Sequence, residues 1–427
     1  MSRSHEWPIG VRSVDVARPL IPLTGLRAYS RVRVFVSRGA DLIGSVDIWH
    51  RGADTISVAR LRDEIAGRLS EVLWQRELEE RLAAGLEGSR PPQQAKTVSI
   101  IVPACDRAEE LRRCLASLLG QRTRHTLEIV VVDNRPACGT AGAVAAEFPA
   151  VRLIREERPG LSFARNAGIA GSNGTIVVTT DDDVIAPADW IEKLVAPFAR
   201  EEVMCVTGHV LPRELETEAQ CRFEAYGGLG KGFAPLEADG TWFHGWRTAV
   251  PTWRLGATAN AAFRRSIFSS PAIGLLDEAL GAGTPTGCSE DTYLFYRILA
   301  AGGTIVYEPS AYVWHRHRES MPALRRQIYA YSKGHVAYQL STLIRYRDRR
   351  AIVRLLYSLP KTYVERSWQR IRRRSEYPLS LVVLELLGTL AGPWALWRSR
   401  RRVRRLGASI RPSGERTDAV SLEGQAT

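Results

Sequence analysis

The chain has 427 residues, 45% apolar and 25% charged, which suits two or three folded domains and excludes a disordered, collagen-like or coiled-coil chain. Its formal charge of +13 is concentrated: Arg316–Leu406 holds 22 Arg and Lys against 5 Asp and Glu, leaving 37 against 41 elsewhere. Only 5 of the basic residues are Lys; a GC-rich genome produces the same bias, so Arg content alone argues for no ligand. The 6 cysteines are scattered without a C-x-x-C pair or zinc spacing, and the leading MSRSHEWPIG lacks the apolar core of a signal peptide, so a reducing cytosol is expected.

Residues 1–90 read as a small ββα accessory module. After a Pro-punctuated lead come two alternating runs, RVRVFVS and LIGSVDIW, with Arg38–Asp41 as the turn, then a helix over Val58–Leu86. The module carries no catalytic constellation, and a docking or stabilising role is expected. GSRPPQQ reads as a linker. From Thr97 the pattern becomes strand–helix alternation: VSIIVPA, LEIVVVDN, VRLIRE and GTIVVTTDDD are buried-strand runs, and Asp106 with Glu109 resembles a capping box for a helix Glu109–Leu119. Uninterrupted apolar strands separated by helices predict a mostly parallel α/β sheet covered on both faces. Ligands bind such sheets beyond the strand carboxyl ends, so Asp106, Asp133 and Asp181–Asp183 are expected to share one crevice. Residues 321–406 read as a basic, partly apolar helical region and residues 407–427 as a disordered tail.

TIVVTTDDDVIAPADW carries the strongest chemical signal. Three consecutive carboxylates after a buried strand repel one another, and a hard divalent cation, Mn2+ or Mg2+, relieves that repulsion while bridging to substrate phosphates. A solvated cluster capping a helix near Pro187 is the plain alternative. Arg165, in GLSFARNAGI, faces that crevice either for a diphosphate or as a simple salt-bridge partner. Glu290-Asp291 opens the helix of TYLFYRILAAGG, a place where acids serve either chemistry or the helix dipole. Trp242, Trp246 and Trp253 suit sugar faces and ordinary cores equally, and GGLGKG lacks a P-loop frame and reads as flexible loop.

VSIIVPACDRAEELRRCLASLLGQ, EIVVVDN, GLSFARNAGI, TTDDDV, GATANAAFRR and CSEDTYLFYRI stand in an order and spacing that resemble the inverting family-2 glycosyltransferases, across about residues 97–320. The resemblance implies a GT-A, Rossmann-like fold. It implies that Asp133 contacts the nucleotide base, that Pro103 and Asp106 frame that pocket, and that Arg165 lies near ribose and diphosphate. Asp181 and Asp183 match the DXD acids, with Asp182 in the same donor-binding stretch, and Asn260 falls on a loop bordering the donor sugar. Asp291 matches the catalytic base, with Glu290 beside it. His315 at the end of AYVWH is either a third metal contact beside Asp183 and Asp181 or a packing residue; His317 is expected to be the lesser candidate. The Q-x-x-R-W motif of processive synthases is missing, which favours single addition.

The expected reaction is inverting transfer from a nucleotide-diphosphate sugar to an acceptor hydroxyl, for a cell-envelope glycan or a lipid-linked acceptor. A non-catalytic sugar-nucleotide or glycan-binding scaffold and a nucleotidyltransferase are the alternatives; the latter normally shows a Gly-rich basic loop that VPACDRAEE lacks. Residues 381–397 form an apolar run about 25 Å long as a helix, short of the roughly 30 Å hydrocarbon core, and Glu385 and Pro393 interrupt it. With Arg345–Arg374 mixing basic and apolar residues, peripheral association with the inner face of the cell membrane is favoured over one span or a soluble bundle. No nucleic-acid motif accompanies the charge, so no nucleic-acid partner is expected.

Overall fold

The computed structural model describes residues 7–50, 52–84, 94–372 and 377–410. The linker reading lies outside these residues apart from Gln94, as does the tail from residue 411. The N-terminal module contains β1 (Ile9–Asp15), β2 (Arg31–Arg38), β3 (Asp41–Trp49) and α1 (Val58–Ala84). β2 and β3 pair antiparallel around the expected turn, and β1 adds in parallel to β2. The module is thus three-stranded rather than ββα; IGVRSVD lacks the clean alternation of its neighbours and is hidden in the Pro-punctuated lead. Val32, Val34, Val36, Val46 and Ile48 pack on Leu61 and Ile65 of α1. The module docks on the main sheet through Phe35, whose ring meets Trp314 edge-on at 5.2 Å.

The main sheet begins with three βα units and a fourth strand: β4 (Thr97–Ala104), α2 (Ala108–Leu119), β5 (Thr126–Asp133), α3 (Thr140–Ala146), β6 (Val151–Arg155), α4 (Leu161–Gly171) and β7 (Ile176–Thr180). It continues through β8 (Val184–Ile185), α5 (Trp190–Val195), β9 (Val203–Pro212), α6 (Glu218–Tyr226), β10 (Leu236–Ala238), α7 (Gly240–His244), β11 (Asn260–Arg264), α8 (Ser266–Ser269), α9 (Glu290–Ala300) and β12 (Thr304–His315). The strand order is β10-β12-β9-β11-β7-β4-β5-β6, with β8 on β12. β4 to β7 are mutually parallel, β12 is parallel to β9, and β11 runs antiparallel between β7 and β9. Reversing one strand in the middle leaves the strands on either side of it pointing the same way. Their carboxyl ends, bearing Asp133, Asp181 and His315, therefore share one edge.

Two cores cover the sheet. Along β4, Val98, Ile100 and Val102 face one and Ile101 the other; this two-residue period fills both faces, and each fully buried aliphatic side chain contributes about 1.5–3 kcal/mol. The expected cap of α2 is absent: Arg107 occupies the N-cap without a side-chain hydrogen bond, and Asp106 pairs with Arg135 at 2.8 Å instead.

The C-terminal region folds as α10 (Met321–Tyr346), α11 (Arg350–Val353), a π-helical turn (Arg354–Ser358), α12 (Leu359–Ile371) and α13 (Leu379–Leu406). α13 lies along α10 because Gly388 and Gly392 remove side-chain bulk: a Cβ at Gly392 would stand 2.5 Å from Val336 Cβ, and one at Gly388 2.8 Å from Ser332 Cβ. Residues 407–410, expected to be disordered, are instead held, with Arg158 donating to the Gly407 carbonyl at 2.9 Å and to Ser409 Oγ at 3.1 Å.

Candidate active site

A cleft of about 870 Å3 opens at the carboxyl edge of the sheet, lined by Arg165, Asp181, Glu290, Asp291, His315 and Arg318 among others. Asp181, Asp183 and His315 bring one ligand atom each within 4.8 Å of one another. Two elements create this meeting. The acids follow β7, and β12 delivers His315, whose backbone pairs with Val184 of β8.

The hydrogen bonds orient His315. Glu224 Oε1 lies 2.9 Å from His317 Nε2, and His317 Nδ1 lies 3.0 Å from His315 Nδ1. The Glu224 carboxylate can only accept, so His317 carries its proton on Nε2 and takes the His315 Nδ1–H on Nδ1. That leaves a lone pair on His315 Nε2, 3.4 Å from Asp183 Oδ1. Asp183 Oδ1 is buried and has no hydrogen bond among the described residues. Two acceptors facing each other without a donor call for a cation, so the residues present fit a divalent metal. Burial pushes His315 below its ordinary pKa against the pull of Asp183, which favours the neutral imidazole. Burial pushes the neighbouring Asp182 up to about 7 against the pull of Arg107. Arg107 reaches both acids, at 2.5 Å from Asp182 Oδ1 and in contact with Asp183 Oδ2.

Arg165 is 1% exposed and divides its guanidinium between Asp181 Oδ1 at 2.8 Å and Glu290 Oε1 at 2.9 Å. It ties α4 to the acid that follows β7 and to the start of α9, and it lines the cleft. Burial, reinforced by Asp291, pushes Glu290 up to about 7 despite that partner. Ser289 precedes the pair with φ of 76°, a left-handed backbone unusual for a non-glycine residue. Asp291 Oδ1 accepts from the Thr292 amide at 2.6 Å and the Thr292 hydroxyl at 3.1 Å, and Asp291 lines the cleft.

Other expected site residues fall elsewhere. Asn260 is fully buried at the start of β11, donating to the carbonyls of His209 and Ala311 and accepting from Trp190 Nε1 at 2.9 Å. Its amide is fully used inside the fold, which corrects its placement on a donor-sugar loop. Pro103 is buried within β4, and Asp133 is 2% exposed with Oδ1 accepting from the Arg135 amide. Asp106 is exposed. Ala104 and Asp133 are in register, and Cys105 feels Asp182, Asp106, Arg107 and Asp133 together, so these groups share one end of the sheet, although Pro103, Asp106 and Asp133 do not line the cleft. The Gly227–Gly232 loop does line it and is anchored, the Tyr307 hydroxyl donating to the Gly232 carbonyl at 2.7 Å. Trp253 lines the cleft, whereas Trp242 and Trp246 pack on each other beside the core. His317 and Glu224 are the functional residues the sequence reading undervalued; the available signal was the two-residue spacing of His315 and His317, which puts both on one side of an extended chain.

Residues 99–270 match the family described as Glycosyl transferase family 2. They form a family-2 glycosyltransferase domain. Over 269 residues the chain is 27% identical to the pre-mycofactocin glycosyltransferase of Mycobacterium tuberculosis (strain ATCC 25618 / H37Rv), covering 61% of this chain and 50% of that protein. Over 215 residues it is 27% identical to the succinoglycan biosynthesis protein ExoM of Rhizobium meliloti (strain 1021), covering 48% and 61%. The chain thus spans about half the length of the mycobacterial relative. Among solved structures, mannosyltransferase PcManGT from Pyrobaculum calidifontis, in complex with GDP-Man and Mn2+, matches with a TM-score of 0.44 at 19% identity over 81% of this chain and 87% of that one.

Proposed function

We propose that this protein transfers a sugar, with inversion, from a nucleotide-diphosphate sugar to an acceptor hydroxyl, building a cell-envelope glycan or glycolipid at the inner face of the cell membrane. The observation that carries the reading is the cluster of Asp181, Asp183 and His315 at a cleft that Asp181, His315 and Asp291 line together. The first three would hold Mn2+ or Mg2+, which supplies charge neutralisation for the departing diphosphate. Arg165 keeps Asp181 and Glu290 in place. Asp291 takes the acceptor proton: Thr292 holds its Oδ1, and its Oδ2 makes no hydrogen bond among the described residues. General-base catalysis of this kind is worth about 10²–10⁴-fold.

The membrane part of the reading rests on the outer face of the C-terminal helices. Among the described residues, α13 is the one helix long and apolar enough to cross a bilayer. Its Glu385, however, is 2% exposed and paired with Arg366 at 2.8 Å, turned toward the protein. On the other side Leu390 is 70%, Trp394 60% and Trp397 56% exposed, and Arg398 and Arg401 stack over those two Trp rings. An apolar strip edged by Arg suits a helix lying on an anionic lipid surface.

The test is donor binding and hydrolysis by the purified protein with UDP-, GDP- and dTDP-sugars, with and without Mn2+. Asp183→Ala should lose metal-dependent binding; Asp291→Asn should keep binding and lose turnover. Binding without metal, or turnover unchanged in Asp291→Asn, would refute these site roles. No donor binding at all would favour a glycan-binding scaffold.

A further inference from the structure

The cleft continues past the acidic cluster into the C-terminal helices. Ala323, Gln327, Tyr331 and His335 line it from α10, and Arg354, Tyr363 and Arg366 from the far wall. The spacing of the first four is one face of a helix; the opposite wall starts at the π-helical turn, a distortion common at functional sites.

The two arginines of that wall differ. Arg366 is neutralised by both oxygens of Glu385, at 2.8 and 3.0 Å. Arg354 has no ion pair among the described residues. Its guanidinium stacks on Trp253 at 5.1 Å and donates Nε–H to His335 Nε2 at 3.2 Å. Neither partner carries charge, since burial and Arg354 together hold His335 at about 3. Burial disfavours the charged Arg354, and its neighbour Arg366 adds to that. Arg326, on the α10 side of the same cleft, also lacks an ion pair among the described residues. A half-buried guanidinium held over an indole, with no ion pair among the described residues, is a preorganised fork for a doubly oxygenated anion.

We propose that this helical end of the cleft is the acceptor site and takes a phosphate-bearing acceptor, its phosphate on Arg354 with Arg326 at the rim and its hydroxyl toward Asp291. This rests on the glycosyltransferase reading above. In the transfer the acceptor oxygen bonds to the anomeric carbon, the bond from that carbon to the diphosphate breaks, the proton goes to Asp291, and the nucleoside diphosphate leaves with the bonding pair. The phosphate is a handle and is unchanged. It can belong to a lipid, whose chain would lie along the apolar strip of α12 and α13, or to a soluble sugar phosphate.

Calorimetry on the full chain distinguishes the sources, with farnesyl phosphate below its micelle concentration and glucose 6-phosphate as probes, and farnesol and glucose as phosphate-free controls. One phosphate probe should bind, its control should not, and Arg354→Gln should weaken binding at least tenfold, with partial recovery in Arg354→Lys. Preference for farnesyl phosphate places the phosphate handle on a lipid that carries the acceptor hydroxyl on a further group; preference for glucose 6-phosphate identifies a soluble acceptor. Arg326→Gln, at an exposed position, should weaken binding several-fold and serves if Arg354→Gln fails to fold. Equal affinity in wild type and both Gln variants, or no binding of either probe at millimolar concentration, overturns the proposal. Metal-dependent nucleotide-sugar binding is measured on the same samples; its retention confines the failure to the acceptor site, and its loss in wild type counts against the glycosyltransferase reading.

Discussion

His317 turns its Nδ1 to the Nδ1 of His315 at 3.0 Å, so one imidazole orients the other. Ligand orientation by an outer partner typically changes metal affinity 10–100-fold. Here the outer partner has its own anchor in Glu224, and the three groups lie on three different segments: α6, the end of β12 and the residues just beyond it.

Removing that orientation should be felt at the metal. His317→Ala and Glu224→Gln are each expected to weaken Mn2+ binding about 10–100-fold, measured by titration calorimetry without donor. Wild-type Mn2+ affinity in both variants would disconnect the histidine pair from metal binding.

Arg165 is a buried cation shared by two acids. Arg165→Met strands those carboxylates and should cost about 3–5 kcal/mol, read from urea unfolding midpoints at pH 7.5. A loss below about 1 kcal/mol would mean the acids find other partners.

At Gly392 there is no room for a side chain against Val336. Gly392→Val should push α13 away from α10 and cost about 1–3 kcal/mol, visible as a lower melting temperature and faster amide exchange along α13. An unshifted melt would show the helices sliding to accommodate the branch.

Acid should destabilise the fold through His209. Burial lowers this imidazole to about 4 while it hydrogen-bonds the Tyr307 hydroxyl at 2.8 Å; unfolded, it titrates near 6.5. Because the folded pKa is the lower one, the unfolded chain binds the proton first. The contribution is complete above about pH 6.5 and is lost as pH falls toward 4, by roughly 3 kcal/mol in all. His209→Gln should flatten that part of the stability–pH curve; an equally steep curve would assign the slope to other groups.

Pelleting with vesicles tests the outer helical face. The protein should sediment with phosphatidylglycerol vesicles, less so at high salt, and poorly with phosphatidylcholine alone. Leu390→Glu with Trp394→Glu should reduce sedimentation at least tenfold, since both side chains are more than half exposed. Undiminished pelleting would remove the lipid role from α13.

Strands β4 to β7 are legible because each is a continuous apolar run whose alternate residues serve two cores. β9 escapes the reading: VMCVTGHVLP is as apolar, but no turn signal marks it off and a glycine interrupts it. β11 is only five residues long and ends in Arg264, so nothing local announces a reversed strand in mid-sheet. The motif around Asn260 points to a donor-sugar loop, whereas its side chain is engaged by Trp190, 70 residues away. Asp181, Asp183 and His315 come together through chain order and strand direction, both partly readable. The Glu224–His317 contact spans 93 residues and leaves no periodic trace. Arg354 is hidden for a different reason: among so many arginines, only structure shows that this one meets Trp253 and His335 in the cleft instead of an acid.

Glu224 has a second neighbour, Arg33 of β2, whose Nη1 lies 3.1 Å from Glu224 Oε2, while Asp47 holds the rest of that guanidinium at 2.8 and 3.1 Å. A hydrogen-bonded line therefore runs from β2 to His315. A protein cut back to its transferase domain would retain each acidic ligand and still lose the brace that steadies them. Its metal titration, compared with that of the full chain, would measure how far the N-terminal module tunes the chemistry of its neighbour.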